Sequence, residues 1–248
     1  MIQLEPTVFF PIADATYAFG ASSLPGKVIV ILLFIGSILA WSIMVSKYIE
    51  LHRAARSSER FLKLYEAESH PVSLYLKRTV PLSSPLSRVY EAGCGALGRE
   101  LDLVEENSSE LKLQGLADSS LHLADIQIQT ISDLGDRVVN GEILHLERHM
   151  MMLATAVSAA PFLGLLGTVW GVMDGFGAMA REGAATLSAV APGISAALLT
   201  TVVGLLVALP SSVGYNLLLE RIRSLTVLID NFSQEFNSSV RRTYGRIS

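Results

Sequence analysis

Apolar positions along the chain follow two patterns. In residues 28–46, 149–173 and 183–219 they are nearly continuous, with no lysine, arginine, aspartate or glutamate. The first run, as a helix, is roughly 28 Å long, close to the hydrocarbon thickness of a bilayer. The last run, at roughly 55 Å as one helix, is longer than a bilayer needs. It predicts an outside loop at its start and a helix projecting beyond the membrane at its end. Elsewhere apolar residues recur at helical spacing. Leu113, Leu116, Leu121, Ile128, Ile131, Leu134 and Val138 lead without proline into the second run. That pattern predicts one long helix over about 115–176, with Gly135 and Gly141 as places to bend. Ile222, Leu225, Leu228, Ile229, Phe232, Phe236 and Val240 predict a further helix over 220–246.

Local signals fill in the rest. Ser84-Pro85 reads as an N-cap followed by proline at the first helical position, opening a helix through about Arg99. Pro71, Pro81 and Pro85 interrupt the region before it, and 102–110 is acidic and reads as a loop. The aromatic stretch 7–19 (Phe9, Phe10, Tyr17, Phe19) suits a short helix at the outer interface.

The expected fold is therefore an all-α membrane protein with three transmembrane helices. The second and third are long and extend into the cytoplasm, and a helical cytoplasmic domain lies between spans one and two. Boundaries follow the charges: 1–27 periplasmic, 28–46 first span, 47–148 cytoplasmic, 149–173 second span, 174–188 periplasmic hairpin, 189–215 third span, 216–248 cytoplasmic helix. Of the 19 lysines and arginines, only Lys27 and Arg181 fall in the periplasmic segments. Lys47, Arg53, Arg56, Arg148, Arg221 and Arg223 flank the other ends, which the positive-inside rule places in the cytoplasm. Residues 1–23 carry acids at Glu5 and Asp14 and no lysine or arginine, unlike a cleavable signal peptide, so the first span is expected to do the targeting.

Composition agrees. The chain has 248 residues, 50% hydrophobic and 17% charged, with a mean hydropathy of +0.44; soluble domains carry about 25% charged residues. A net charge of −4 gives no argument for a nucleic-acid partner. Cys94 is the single cysteine, so no internal disulfide forms.

Chemistry-bearing motifs are few. Gly93-Cys94-Gly95 and Gly98 lack the preceding strand and the Gly-Lys-Ser/Thr of a phosphate loop, and read as close helix packing. His145 and His149 share a helix face, but the order is His-Leu-Glu-Arg-His with no third ligand, so they read as interfacial histidines rather than a metal site. No metal, cofactor or catalytic constellation is expected, and an enzyme reading has no support.

The spans themselves carry a different pattern. Pro161, Gly164, Thr168, Gly171 and Gly175 fall at spacings of three and four, so they share one helix face; Gly167 adds overlapping Gly-x-x-x-Gly spacings. Gly193, Ala197, Thr201, Gly204, Ala208 and Ser211 repeat this on span three, with Thr200 adjacent. Small residues let helices approach closely in lipid, where no hydrophobic drive pairs them. Each span thus offers a small face with a hydroxyl. Neither contains a carboxylate, although proton relays through membranes use titratable groups. Hydroxyls donate and accept hydrogen bonds without ionising. Either these spans conduct nothing and form a scaffold, or another chain brings the acid.

The string Ala-Pro-Phe-Leu-Gly-Leu-Leu-Gly-Thr-Val-Trp-Gly-Val-Met at 160–173, with Val-Ala-Pro-Gly-Ile-Ser-Ala-Ala-Leu-Leu-Thr-Thr-Val-Val-Gly-Leu at 190–205, resembles the MotA/TolQ/ExbB proton-channel family. Three spans fit its ExbB/TolQ branch, and the 229–236 segment resembles TolQ more than ExbB. The resemblance implies a homopentamer in a bacterial inner membrane, with two single-span ExbD/TolR-type subunits in the central pore. It implies that a partner's membrane aspartate carries protons past Thr168 and Thr201, beside Thr200. The proton-motive force would then drive periplasmic work, indirectly through a TolA/TonB-type protein. The sequence departs from the family at Ala196, where many relatives carry glutamate, and at Asp174, which replaces an uncharged polar residue and is a candidate for the proton entrance.

Overall fold

The computed structural model describes residues 19–20, 22–77, 84–101, 122–182 and 187–245. Among these residues six helices follow in order: α1 Leu24–Glu66, α2 Ser73–Leu76, α3 Pro85–Glu100, α4 Asp125–Glu147, α5 Met150–Glu182 and α6 Leu187–Tyr244. Three stretches are long and apolar enough to cross a membrane, in α1, in α5 and in α6. Most of the expected 7–19 helix, Pro81, the 102–110 loop and the beginning of the 115–176 helix lie outside the described residues.

The described residues form two compact units. One comprises the chain up to Val45 and His149–Asn216; the other comprises Ser46–Arg148 and the chain from Leu217 onward. In the first, Ile29 and Leu33 of α1 meet Ala160 of α5 and Val207 and Ala208 of α6, with Leu163 and Val203 packed against them. Met44 lies against Gly214, where a Cβ would stand 2.1 Å from its sulfur.

The second unit has an aromatic core. Phe61 and Tyr65 of α1, Tyr90 of α3 and Phe232 and Phe236 of α6 contact one another, with edge-on pairs at 5.2–5.7 Å between centroids. Such pairs contribute about 0.5–1.5 kcal/mol each beyond the area they bury. Gly93 is where Phe236 comes closest to α3: a Cβ would stand 2.4 Å from the ring. Cys94 beside it is buried, and burial pushes its thiol above the ordinary range. Helix α3 opens with a reciprocal cap. Ser87 N–H donates to Ser84 Oγ (3.0 Å) and Ser84 N–H to Ser87 Oγ (3.2 Å), with Pro85 at the first helical position.

One expectation is corrected. The helix expected over 115–176 is broken at Arg148–His149: α4 ends at Glu147 and α5 begins at Met150. Arg148 is extended (φ −53°, ψ 136°) and His149 is left-handed (φ 68°). The break exposes the His145 carbonyl, which would otherwise accept from the His149 N–H. Arg148 N–H (3.3 Å) and the Lys47 ammonium (3.2 Å) donate to it instead. Lys47 is only 3% exposed and also pairs with Glu50 at 3.0 Å. A buried cation on a helix C-terminus satisfies orphan carbonyls and suits the negative end of the helix dipole. The side-chain part of this cap comes from a distant residue, so no local signal marks the break.

Two helices extend beyond the charge-free runs. Helix α5 continues past Asp174 to Glu182, into the segment expected to be a hairpin. Helix α6 runs unbroken for 58 residues through Pro192 and Pro210.

Candidate functional site

The site is the pairing of α5 with α6. Its closeness follows from the glycines. A Cβ on Gly164 would stand 3.0 Å from the Thr200 carbonyl oxygen and the Thr201 Cα, and one on Gly204 2.7 Å from the Ala160 carbonyl oxygen. A Cβ on Gly171 would stand 2.6 Å from Ala197 Cβ. Gly193 faces Gly171 and Gly175 across the same interface. At Gly164 and Gly204 backbone meets backbone, which only glycine allows without displacement.

That contact brings three hydroxyls together. Thr201 Oγ1 lies 3.0 Å from the Gly164 carbonyl oxygen and 3.3 Å from Thr168 Oγ1. Thr200, 1% exposed, donates toward the Gly164 carbonyl (3.1 Å) and the Ala197 carbonyl (2.7 Å). Thr168 donates to the Leu165 carbonyl at 2.7 Å. Gly167 leaves the room for Thr200, whose Oγ1 a Cβ there would meet at 2.3 Å. Thr168 and Thr201 are half-buried, so their hydroxyls keep an open side, whereas Thr200 is enclosed. A hydroxyl has one proton and two lone pairs. With its proton on Leu165, Thr168 accepts from Thr201 and retains acceptor capacity. The Thr201 proton has two alternatives, Gly164 and Thr168.

Asp174 is elsewhere. It stands six residues beyond Thr168, about 9 Å of helix rise, and no hydrogen bond joins it to the threonines among the described residues. It is half-buried and lines a cavity of about 250 Å³ with Ser22, Ser23, Gly171, Gly193 and Ala196. Ala196 is 4% exposed, so the position where the sequence departs from its resemblance faces the same cavity as the extra acid. Ser22 and Ser23 went unnoticed in the sequence, because no spacing shows that the start of α1 lies against α5 and α6. Pro161 sits inside α5 one turn before Gly164. His145 is exposed in the last turn of α4 with Nδ1 3.6 Å from Glu50, and His149 occupies the helix break.

The family profile described as the MotA/TolQ/ExbB proton channel family matches residues 105–231, half of the chain. The biopolymer transport protein ExbB of Salmonella typhimurium is 34% identical over 200 residues, 80% of this chain and 74% of that protein. The chain belongs to the MotA/TolQ/ExbB proton channel family. It is also similar to the Tol-Pal system proteins TolQ of Haemophilus influenzae and Pseudomonas aeruginosa. The first is 42% identical over 104 residues, covering 42% of this chain and 46% of that protein. The second is 41% identical over 97 residues, covering 39% and 42%. The TolQ matches thus span less than half of those relatives. Relatives named ExbB and TolQ fit the ExbB/TolQ branch of the family, and three apolar helices in such a chain point to the inner membrane. The α5–α6 threonines lie within the matched region.

Proposed function

We propose that this chain is the pore-forming subunit of an inner-membrane proton-driven motor. The amino terminus is periplasmic, the carboxyl terminus cytoplasmic, and five copies surround two single-span ExbD/TolR-type subunits. The observation that carries the reading is the Thr168–Thr201 pair, two half-buried hydroxyls in contact inside spans without a carboxylate, in a chain of a proton channel family.

Such a pair suits a visiting carboxyl group in both of its states. A protonated carboxylic acid donates to the free lone pair of Thr168. An ionised one accepts from Thr201, whose O–H turns away from Gly164 to meet it. The pair therefore lowers the cost of holding either form in a medium that otherwise leaves a polar group unsatisfied. The acid belongs to the partner, and each charge that crosses the membrane releases about 2.3 kcal/mol per 100 mV. The work is done in the periplasm through a TolA/TonB-type protein, in a Tol-Pal-type envelope function or TonB-type transport. Asp174, beside its cavity, forms the proton entrance; Asp174→Asn is expected to lower activity when the driving force is small, and unchanged activity there removes it from the path.

A second reading has its own support. The threonine protons already rest on the carbonyls of Gly164, Leu165 and Ala197, as a passive scaffold holding partner helices would also have them. Thr168→Val and Thr201→Val separate the two. Motor function predicts that the complex assembles and its proton-dependent output is lost; a scaffold predicts that output survives wherever assembly does.

A further inference from the structure

The second unit contains an open cavity of about 330 Å³ between α1, α3 and α4, in which Glu50, Arg53, Arg88 and His145 stand among apolar residues such as Ile49 and Leu146. The carboxylate in its lining, Glu50, is already committed. Glu50 pairs with the buried Lys47 and faces His145 Nδ1 at 3.6 Å, while Glu142, outside the lining, chelates Arg88, with Arg88 Nε 2.6 Å from Oε1 and the Nη2 on the other oxygen. Arg53 is exposed and makes no ion pair among the described residues. His145 and Arg88 remain 60% and 40% exposed. The unpaired formal charge at the cavity is therefore that of Arg53.

Depth identifies the occupant. Ser46 is the last residue of the charge-free run of α1, and α1 continues through the cavity wall without interruption. Glu50 and Arg53 stand about 6 and 10 Å of helix rise beyond it. The headgroup layer on each side of a bilayer is about 5–8 Å thick, and an arginine stem bends back toward it. Arginine suits phosphate oxygens through its forked donors.

We propose that this cavity seats the phosphate of an acidic phospholipid headgroup, with Arg53 as its main contact and His145 and the free edge of Arg88 beside it. Basic pockets at the ends of transmembrane helices take such headgroups. The proposal does not depend on proton conduction.

The test equilibrates the full-length chain with mixed micelles of phosphatidylglycerol and phosphatidylcholine and counts retained lipids by native mass spectrometry. Wild type is expected to retain phosphatidylglycerol preferentially. Arg53→Gln should cut that preference about fivefold, the factor one arginine is worth near an anionic surface. Arg60→Gln, about 21 Å beyond Ser46 along α1, should leave it unchanged, and millimolar inorganic phosphate should not displace the lipid. Equal retention by Arg53→Gln and wild type overturns the site. An equal loss in Arg60→Gln shows diffuse surface charge instead, and displacement by phosphate shows a soluble-anion site; either result overturns the lipid assignment.

Discussion

Each threonine at the α5–α6 contact has a separable part. Thr200 is enclosed and holds helices together, so Thr200→Val should destabilise the pair by about 1–3 kcal/mol by leaving buried acceptors short of a donor, read as a lower unfolding temperature in detergent. Thr168 and Thr201 keep an open side, and their valine variants should cost much less stability than function. Gly204→Ala should be worse than any of these for folding, by about 1–3 kcal/mol or more, because its methyl meets a backbone carbonyl. His70 shows a different sensitivity. Both ring nitrogens are buried without partners, in a cavity of about 420 Å³ whose lining includes Glu66, Glu68, Glu235 and Arg242. Burial lowers its pKa below the ordinary 6.5. The unfolded chain therefore takes up the proton first. Stability should be complete above about pH 6.5 and decline as the pH falls below it. Unfolding at pH 7.5 and 5.5 checks this, and His70→Asn should flatten the difference.

Helices differ in how much of them the sequence disclosed. The proline at the start of α3 and the hydroxyl before it were enough, because a cap is local chemistry. The apolar runs in α1, α5 and α6 were equally plain, since a bilayer demands unbroken length. The break before Met150 was not legible: left-handed residues are usually announced by glycine or asparagine, and here it is a histidine whose neighbouring carbonyl is capped by Lys47, a residue 98 positions from His145. Two results should follow. His149→Gly should stabilise the fold by about 1 kcal/mol, because glycine adopts a left-handed conformation without steric cost. Lys47→Met should destabilise it by about 2 kcal/mol, the worth of a charged hydrogen bond. Equal stability in both variants, measured by thermal unfolding, means that the break does not depend on this cap.

For the molecule as a whole, the small-residue stripes of α5 and α6 disclosed a packing face, and their spacing placed Thr168 and Thr201 on it. Spacing did not disclose that the two hydroxyls touch, nor that Asp174 lines a cavity with Ser22, Ser23 and Ala196. Those facts depend on the depth at which two helices cross and on where α1 lies against them. The carboxylate-free interior also takes its meaning from the family, since an incomplete proton path and a passive bundle have the same composition. The decisive measurement is proton flux into proteoliposomes holding this chain assembled with the single-span, aspartate-bearing subunit proposed as its partner, under an imposed potential. Flux that falls at least tenfold in Thr168→Val and in Thr201→Val, with the complex intact by native mass spectrometry, is the predicted result. Undiminished flux through the intact double variant would contradict a proton path lined by these hydroxyls.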